Sequence, residues 1–99
     1  MKISINGLNK AFDSRIRLGI MSALAVNDMV DFNSLKEYLG VTDGNLASHL
    51  KSLEKEEFID VQKSFIGRKP MTNYFITQIG RKAFEDHLKA LEKLIKSQK

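Results

Sequence analysis

The stretch SLKEYLGVTDGNLASHLKSLEKE, residues 34–56, reads as two helices that meet across a Gly-Val-Thr corner. Ser34 and Glu37 stand at the capping-box spacing that starts a short helix through Leu39. Gly40 falls where a helix needs a left-handed terminator, and Thr42 is a ready N-cap two residues later, so a second helix runs from Asp43 to about Glu56. On that helix Leu46, Leu50 and Leu53 recur at i, i+4 and i+7 and must face a core. Asn45, Ser48, His49 and Ser52 are thereby turned outward.

Upstream, Ser14 offers an N-cap to RIRLGIMSALAVN, where Ile16, Ile20, Met21, Leu24 and Ala25 fall at helical spacing. The pattern predicts a core helix over about 14–26, ended by Asn27 and Asp28, with a small strand around Val30. Downstream, Phe58–Ile66 and Met71–Ile76 are rich in β-formers and flank Gly67-Arg68-Lys69-Pro70, a hairpin with a loop longer than a two-residue turn. Gly67 can supply a positive φ, and Pro70, which has no amide hydrogen, belongs at a strand edge. Thr77 caps a last helix reaching nearly to Lys99, on which Phe84, Leu88, Leu91 and Ile95 alternate by four and three as a coiled-coil seam. Tyr38 and Tyr74 read as core-edge residues.

Charge is unevenly spread along the chain. The interval between Asp60 and Glu85 holds Lys63, Arg68, Lys69, Arg81 and Lys82 and no acid, so it carries +5 of a chain whose formal net charge is +4. A cationic segment in a small folded protein is the footprint of a nucleic-acid binder. At 99 residues there is room for one domain and one core, not for separate cofactor and substrate domains.

The other chemistries are excluded by what the chain lacks. It has no cysteine, so disulfides, thiolate metal sites and cysteine nucleophiles are out, and a cytoplasmic location is expected. His49 and His87 are too few for a structural metal site, and no phosphate loop or nucleophile-base pair occurs, so neither cofactor nor enzymatic activity is expected. No run is apolar enough for a membrane partner.

A helix, a short strand, two helices at a tight corner, a basic hairpin and a long helix follow one another as in a winged helix-turn-helix. The fold class is mainly α with a small β-hairpin (α+β), a single domain over 1–99. Its helix-turn-helix spans about 34–56, its wing about 58–76 and its dimerisation helix about 78–97. In such a domain the second helix of the pair enters the major groove and the wing lies along neighbouring backbone or minor groove. Short polar side chains let the helix backbone come close enough for them to touch base edges, which assigns base contacts to Asn45, Ser48 and His49. Backbone contacts fall to Thr42, Gly44, Lys51 and Ser52 on the helix and to Lys63, Arg68 and Lys69 on the wing. Asp43, in the first helical turn, stabilises the helix rather than touching DNA.

The run from Asp31 to Phe84 resembles the small prokaryotic MarR/ArsR-like transcriptional regulators. The likeness rests on Phe32 with Leu35 and Leu39, the block Thr42-Asp43-Gly44-Asn45-Leu46 with His49-Leu50 and Leu53-Glu54, the wing Gly67-Arg68-Lys69-Pro70, and Thr77 through Gly80-Arg81; it covers roughly residues 14–88. It implies a homodimer acting on a short, roughly palindromic operator in double-stranded DNA. The chain departs from the family at Glu56-Glu57, where a glycine often precedes the hairpin, and it lacks the cysteines of metal-sensing relatives. Two-fold pairing through Phe84, Leu88, Leu91 and Ile95, with Ile3, Ile5 and Leu8 alongside, would bring two recognition helices to grooves about 34 Å apart. A small-molecule effector is compatible with such a dimer, and nothing in the sequence specifies one. The competing expectation is a winged-helix protein-protein interaction module without DNA binding.

Overall fold

The computed structural model describes residues 5–97. Among them a 3-10 turn at Lys10–Phe12 precedes α1 (Arg15–Val26), β1 (Val30–Asp31), α2 (Phe32–Leu39), α3 (Asp43–Lys55), β2 (Ile59–Ile66), β3 (Lys69–Ile76) and α4 (Gln78–Lys96). The strands form one antiparallel sheet in the order β1-β3-β2. No helix among the described residues is long and apolar enough to cross a membrane. Ile3 and Lys99 lie outside the described residues.

One core joins these elements. Ile20, Met21 and Leu24 of α1, Leu35 of α2 and Leu46, Leu50 and Leu53 of α3 are buried together with Phe12, Val30, Phe58, Ile59, Tyr74 and Phe84. Three apolar stripes at helical spacing thus converge, which is what the periodicity requires of helices that cannot bury themselves alone. Burial raises the pKa of the Tyr74 phenol above its ordinary 10.0, and the Glu54 carboxylate adds to the shift, so the phenol stays neutral in the core.

The caps explain most boundaries. Ser14 accepts from the amides of Ile16 and Arg17, Thr42 from Asn45 and Thr77 from Gly80, and Gly40 closes α2 in the left-handed region at φ 63°. The start of α2 differs from expectation. Its cap is Asp31, whose carboxylate accepts from the Ser34 amide at 3.1 Å and the Ser34 hydroxyl at 2.6 Å. With the helix begun one turn earlier, it is the Ser34 amide that needs an acceptor and the Asp31 carboxylate supplies it, so Ser34 is inside the helix and the Ser34-Glu37 box does not form.

The hairpin differs too. Ile66 pairs with Lys69, which leaves a two-residue turn of Gly67 and Arg68 rather than a four-residue loop. Gly67 at φ 64° occupies the first central position, where a tight hairpin turn demands positive φ. Pro70 lies inside β3 opposite Phe65, one step from the hydrogen-bonded closing pair, so its missing amide hydrogen faces away from β2. On that other side β1 pairs only with Asn73 and Tyr74, so no ladder bond is lost.

Two aromatic residues also depart from expectation. Tyr38, at 69% exposed on α2, is a surface residue and not a core-edge one. Phe84 is buried in its own domain, edge-on to Phe12 with ring centroids 5.7 Å apart. The seam left at the surface of α4 is therefore Leu88 and Ile95, both exposed, with Leu91 half-buried. The segment before α1 runs beside this helix, since a Cβ on Gly7 would lie 3.4 Å from the Cβ of Ala90.

The joint between α3, the hairpin and α4 is closely built. The amide of Glu57 donates to the carbonyl of Glu54 and that of Phe58 to Leu53, the paired bonds of a Schellman motif, with Glu57 itself at φ 64°. The carbonyl of Phe58 then accepts from the amide and hydroxyl of Thr77. A Cβ on Gly80 would come within 1.9 Å of that same carbonyl oxygen, so only glycine lets α4 pass here.

Candidate nucleic-acid interface

The outward face of α3 is positioned by its inward one. Leu46, Leu50 and Leu53 are at most 1% exposed, so the rotation of the helix about its axis is fixed. Asn45 and Ser48 are exposed on the opposite side, and His49 and Ser52 are half-buried along its edge. Gly44 is exposed, with no atom within 4 Å of where a Cβ would stand, so the first turn can be approached closely by a partner.

Several of these side chains already have partners. The Thr42 hydroxyl accepts from the Asn45 amide at 3.2 Å, and the Ser52 hydroxyl donates to the Ser48 carbonyl at 3.2 Å. A hydroxyl has capacity beyond one such bond, so both can still meet a phosphate. Asp43 is paired with Lys36 of α2 at 2.8 Å, an exposed bridge that ties the two helices and offsets the carboxylate at the amino end of α3.

Two arginines that the sequence did not single out border this face. The Nε of Arg17, on α1, donates to Nδ1 of His49 at 3.0 Å. Arg15, two residues earlier, lines a concavity of about 500 Å³ with Ile16, Leu39, Gly40, Val41, Thr42 and Asn45. Neither falls in the acid-free interval between Asp60 and Glu85, and no linear pattern brings the start of α1 to the start of α3. Only the packing of α1 on α3 does so.

The acid-free interval itself divides in space. Lys82 pairs with Asp86 at 3.2 Å, and Arg81 donates to the Ala25 carbonyl at 3.1 Å, where it neutralises the carboxyl end of α1. Lys63, Arg68 and Lys69 are exposed on the hairpin and form no ion pair among the described residues. The +5 of the sequence thus resolves into three free cations on the wing and two engaged on α4. Phe65 and Ile66, at 71% and 64% exposed, end β2 just before the turn and give it an apolar edge beside its charge.

His87 is a core residue. Its Nδ1 accepts from the Asn9 amide at 3.0 Å and its ring stands edge-on to Phe12. Among the described residues no group of His, Cys, Asp or Glu side chains is placed to hold a metal ion.

Comparison with known proteins agrees with this arrangement. A family model described as winged helix DNA-binding domain matches residues 16–95. The uncharacterized protein MJ0432 of Methanocaldococcus jannaschii is 40% identical over 88 residues, which cover 89% of this chain and 96% of that protein. A transcriptional regulator homologue from Pyrococcus horikoshii OT3 superposes with a TM-score of 0.77 at 30% identity, over 90% of this chain and 93% of that one. The putative transcriptional regulator ytfH of Salmonella typhimurium shares the fold at a TM-score of 0.72 and 24% identity, over 84% of this chain and 73% of its own. The chain belongs to the winged helix DNA-binding domain family.

Proposed function

We propose that the chain is a transcriptional regulator that binds double-stranded DNA sequence-specifically as a homodimer on a short palindromic operator. The observation that carries this is the pairing of a rigidly seated helix, whose outward side holds Asn45, Ser48 and His49, with a wing whose three cations form no ion pair among the described residues. Asn45, Ser48 and His49 read base edges; Thr42, Gly44, Lys51 and Ser52 meet the backbone beside them. Lys63, Arg68 and Lys69 hold phosphates along the neighbouring groove, where Phe65 and Ile66 pack on sugar edges. Arg15 joins the backbone contacts at the amino end of α3.

The homodimer is supported by the exposed Leu88 and Ile95 on α4, with Leu91 beside them. An apolar stripe of this kind on a helix is covered when two copies pair about a two-fold axis, which also doubles the bases read. The single domain spans 1–99, works in the cytoplasm and catalyses no reaction. A small-molecule effector would be a separate property of the dimer.

Selection of bound fragments from a random duplex pool, carried out at two salt concentrations, tests the proposal. Enrichment of a two-fold symmetric site, with half-sites about one helical turn apart, is the expected outcome. Retention of no sequence, together with a salt-insensitive protein partner in pull-downs, would replace it by the interaction-module reading. Sedimentation at micromolar concentration checks the dimer, which a monomer would exclude.

A further inference from the structure

The contact between Arg17 and His49 has a chemical consequence for what α3 can read. The Arg17 Nε is a donor only, so Nδ1 of His49, 3.0 Å away, must present its lone pair. A neutral imidazole with an unprotonated Nδ1 carries its hydrogen on Nε2. Nε2 has no protein acceptor among the described residues, and no buried polar side-chain atom there lacks a partner, so Nε2 is open to solvent. His49 also follows Asn45 by four residues, which stacks the two along one face of α3.

Resting on the DNA-binding reading above, we propose that Arg17 is a specificity-determining positioning residue: it locks His49 as an outward Nε2–H donor. His49 then reads a hydrogen-bond acceptor on a base, namely purine N7, guanine O6 or thymine O4 in the major groove. The exocyclic amino groups of cytosine and adenine are donors and are rejected at that position, because two donors cannot pair. Without Arg17 the ring is free to present either nitrogen, and the discrimination is lost while the helix stays in place. The helix does stay, because it is held by its leucines and not by this contact.

Two measurements on the full chain test this. Ring-nitrogen NMR of the DNA-free protein, with His49 assigned from a His49→Gln variant, should show Nδ1 unprotonated and Nε2 protonated. In Arg17→Leu the His49 signals should move toward a tautomer mixture, whereas those of His87, held by the Asn9 amide, should not. The opposite tautomer, or one unaffected by Arg17→Leu, overturns the proposal.

On the selected operator, 7-deaza or amino-bearing substitution at the His49 position should weaken the wild type about tenfold and Arg17→Leu by much less. Uniform loss at every position in Arg17→Leu would make Arg17 a phosphate contact and overturn the specificity claim. A wild type that binds no duplex would sink the DNA-binding reading and the base contact together, while the ring-nitrogen result would still stand or fall by itself.

Discussion

Helix α3 and the hairpin β2-β3 are joined by only Glu56, Glu57 and Phe58, yet they are held in opposite ways. On α3 every inward position is sealed, with Leu46, Leu50 and Leu53 at most 1% exposed. The hairpin is anchored only at its inner end, by Ile59 and Tyr74, and from Gln62 to Asn73 no residue is buried. The contrast fits two tasks. Reading a base edge needs a donor fixed to a fraction of an ångström, whereas holding a phosphate needs charge and reach. A core supplies the first, and a short turn free of acids supplies the second.

The largest effect that sharpens this contrast is on stability. Leu50→Ala should cost about 2–5 kcal/mol, because the cavity it leaves lies among α1, α2 and α3. Phe65→Ser at the wing tip should stay within about 0.5 kcal/mol. Denaturant melts of the two variants compare them directly, and equal losses would mean that the wing is as tightly packed as the helix.

A smaller effect concerns the corner that sets α3 against α2. Asp31→Ala removes the cap of α2 and should cost about 1 kcal/mol at neutral pH. The Ser34 hydroxyl, followed by backbone amides, holds the Asp31 carboxyl below its ordinary pKa of 3.8, burial opposing them. A carboxylate lowered in the folded state stabilises the fold at pH above its ordinary value, and that contribution is lost as pH falls through the lowered one. The variant should therefore show a flatter melting temperature than the wild type on acidification below about pH 4.

The smallest effect is a gain. Glu57, the one non-glycine residue with positive φ among those described, occupies the C′ position of the Schellman motif. Glu57→Gly should stabilise the joint by about 1 kcal/mol or less, since a left-handed conformation costs an L-residue about that much. Thermal melts that show a loss instead would mean that the Glu57 side chain contributes more than its backbone costs.

Much of this contrast was legible in the sequence where the signal is local. Gly40, Thr42, Ser14 and Thr77 announced helix ends, and the leucine spacing gave the buried face of α3, because caps and periodicity act within a few residues. Glu57 shows the same logic in reverse: its position is where the family often has glycine, and the backbone there takes the left-handed form all the same. Signals that compete locally were harder to separate. Asp31 and Ser34 both satisfy the rule for a cap, and the choice between them depends on where β1 lets the chain turn. What acts across the fold was not legible at all. Arg17 meets His49 across a sequence separation of 32, and Phe84 leaves the apparent seam because Phe12 covers it.

The division of labour between helix and wing is tested most directly by the ratio of affinities for the selected operator and for random duplex, measured in Asn45→Ala and Lys69→Ala. Asn45→Ala should lose about 1–3 kcal/mol on the operator and little on random DNA, so the ratio collapses. Lys69→Ala should weaken both alike, keep the ratio, and lower the salt slope by about one. A ratio that survives Asn45→Ala and falls in Lys69→Ala would contradict the account, for it would put the base reading on the wing.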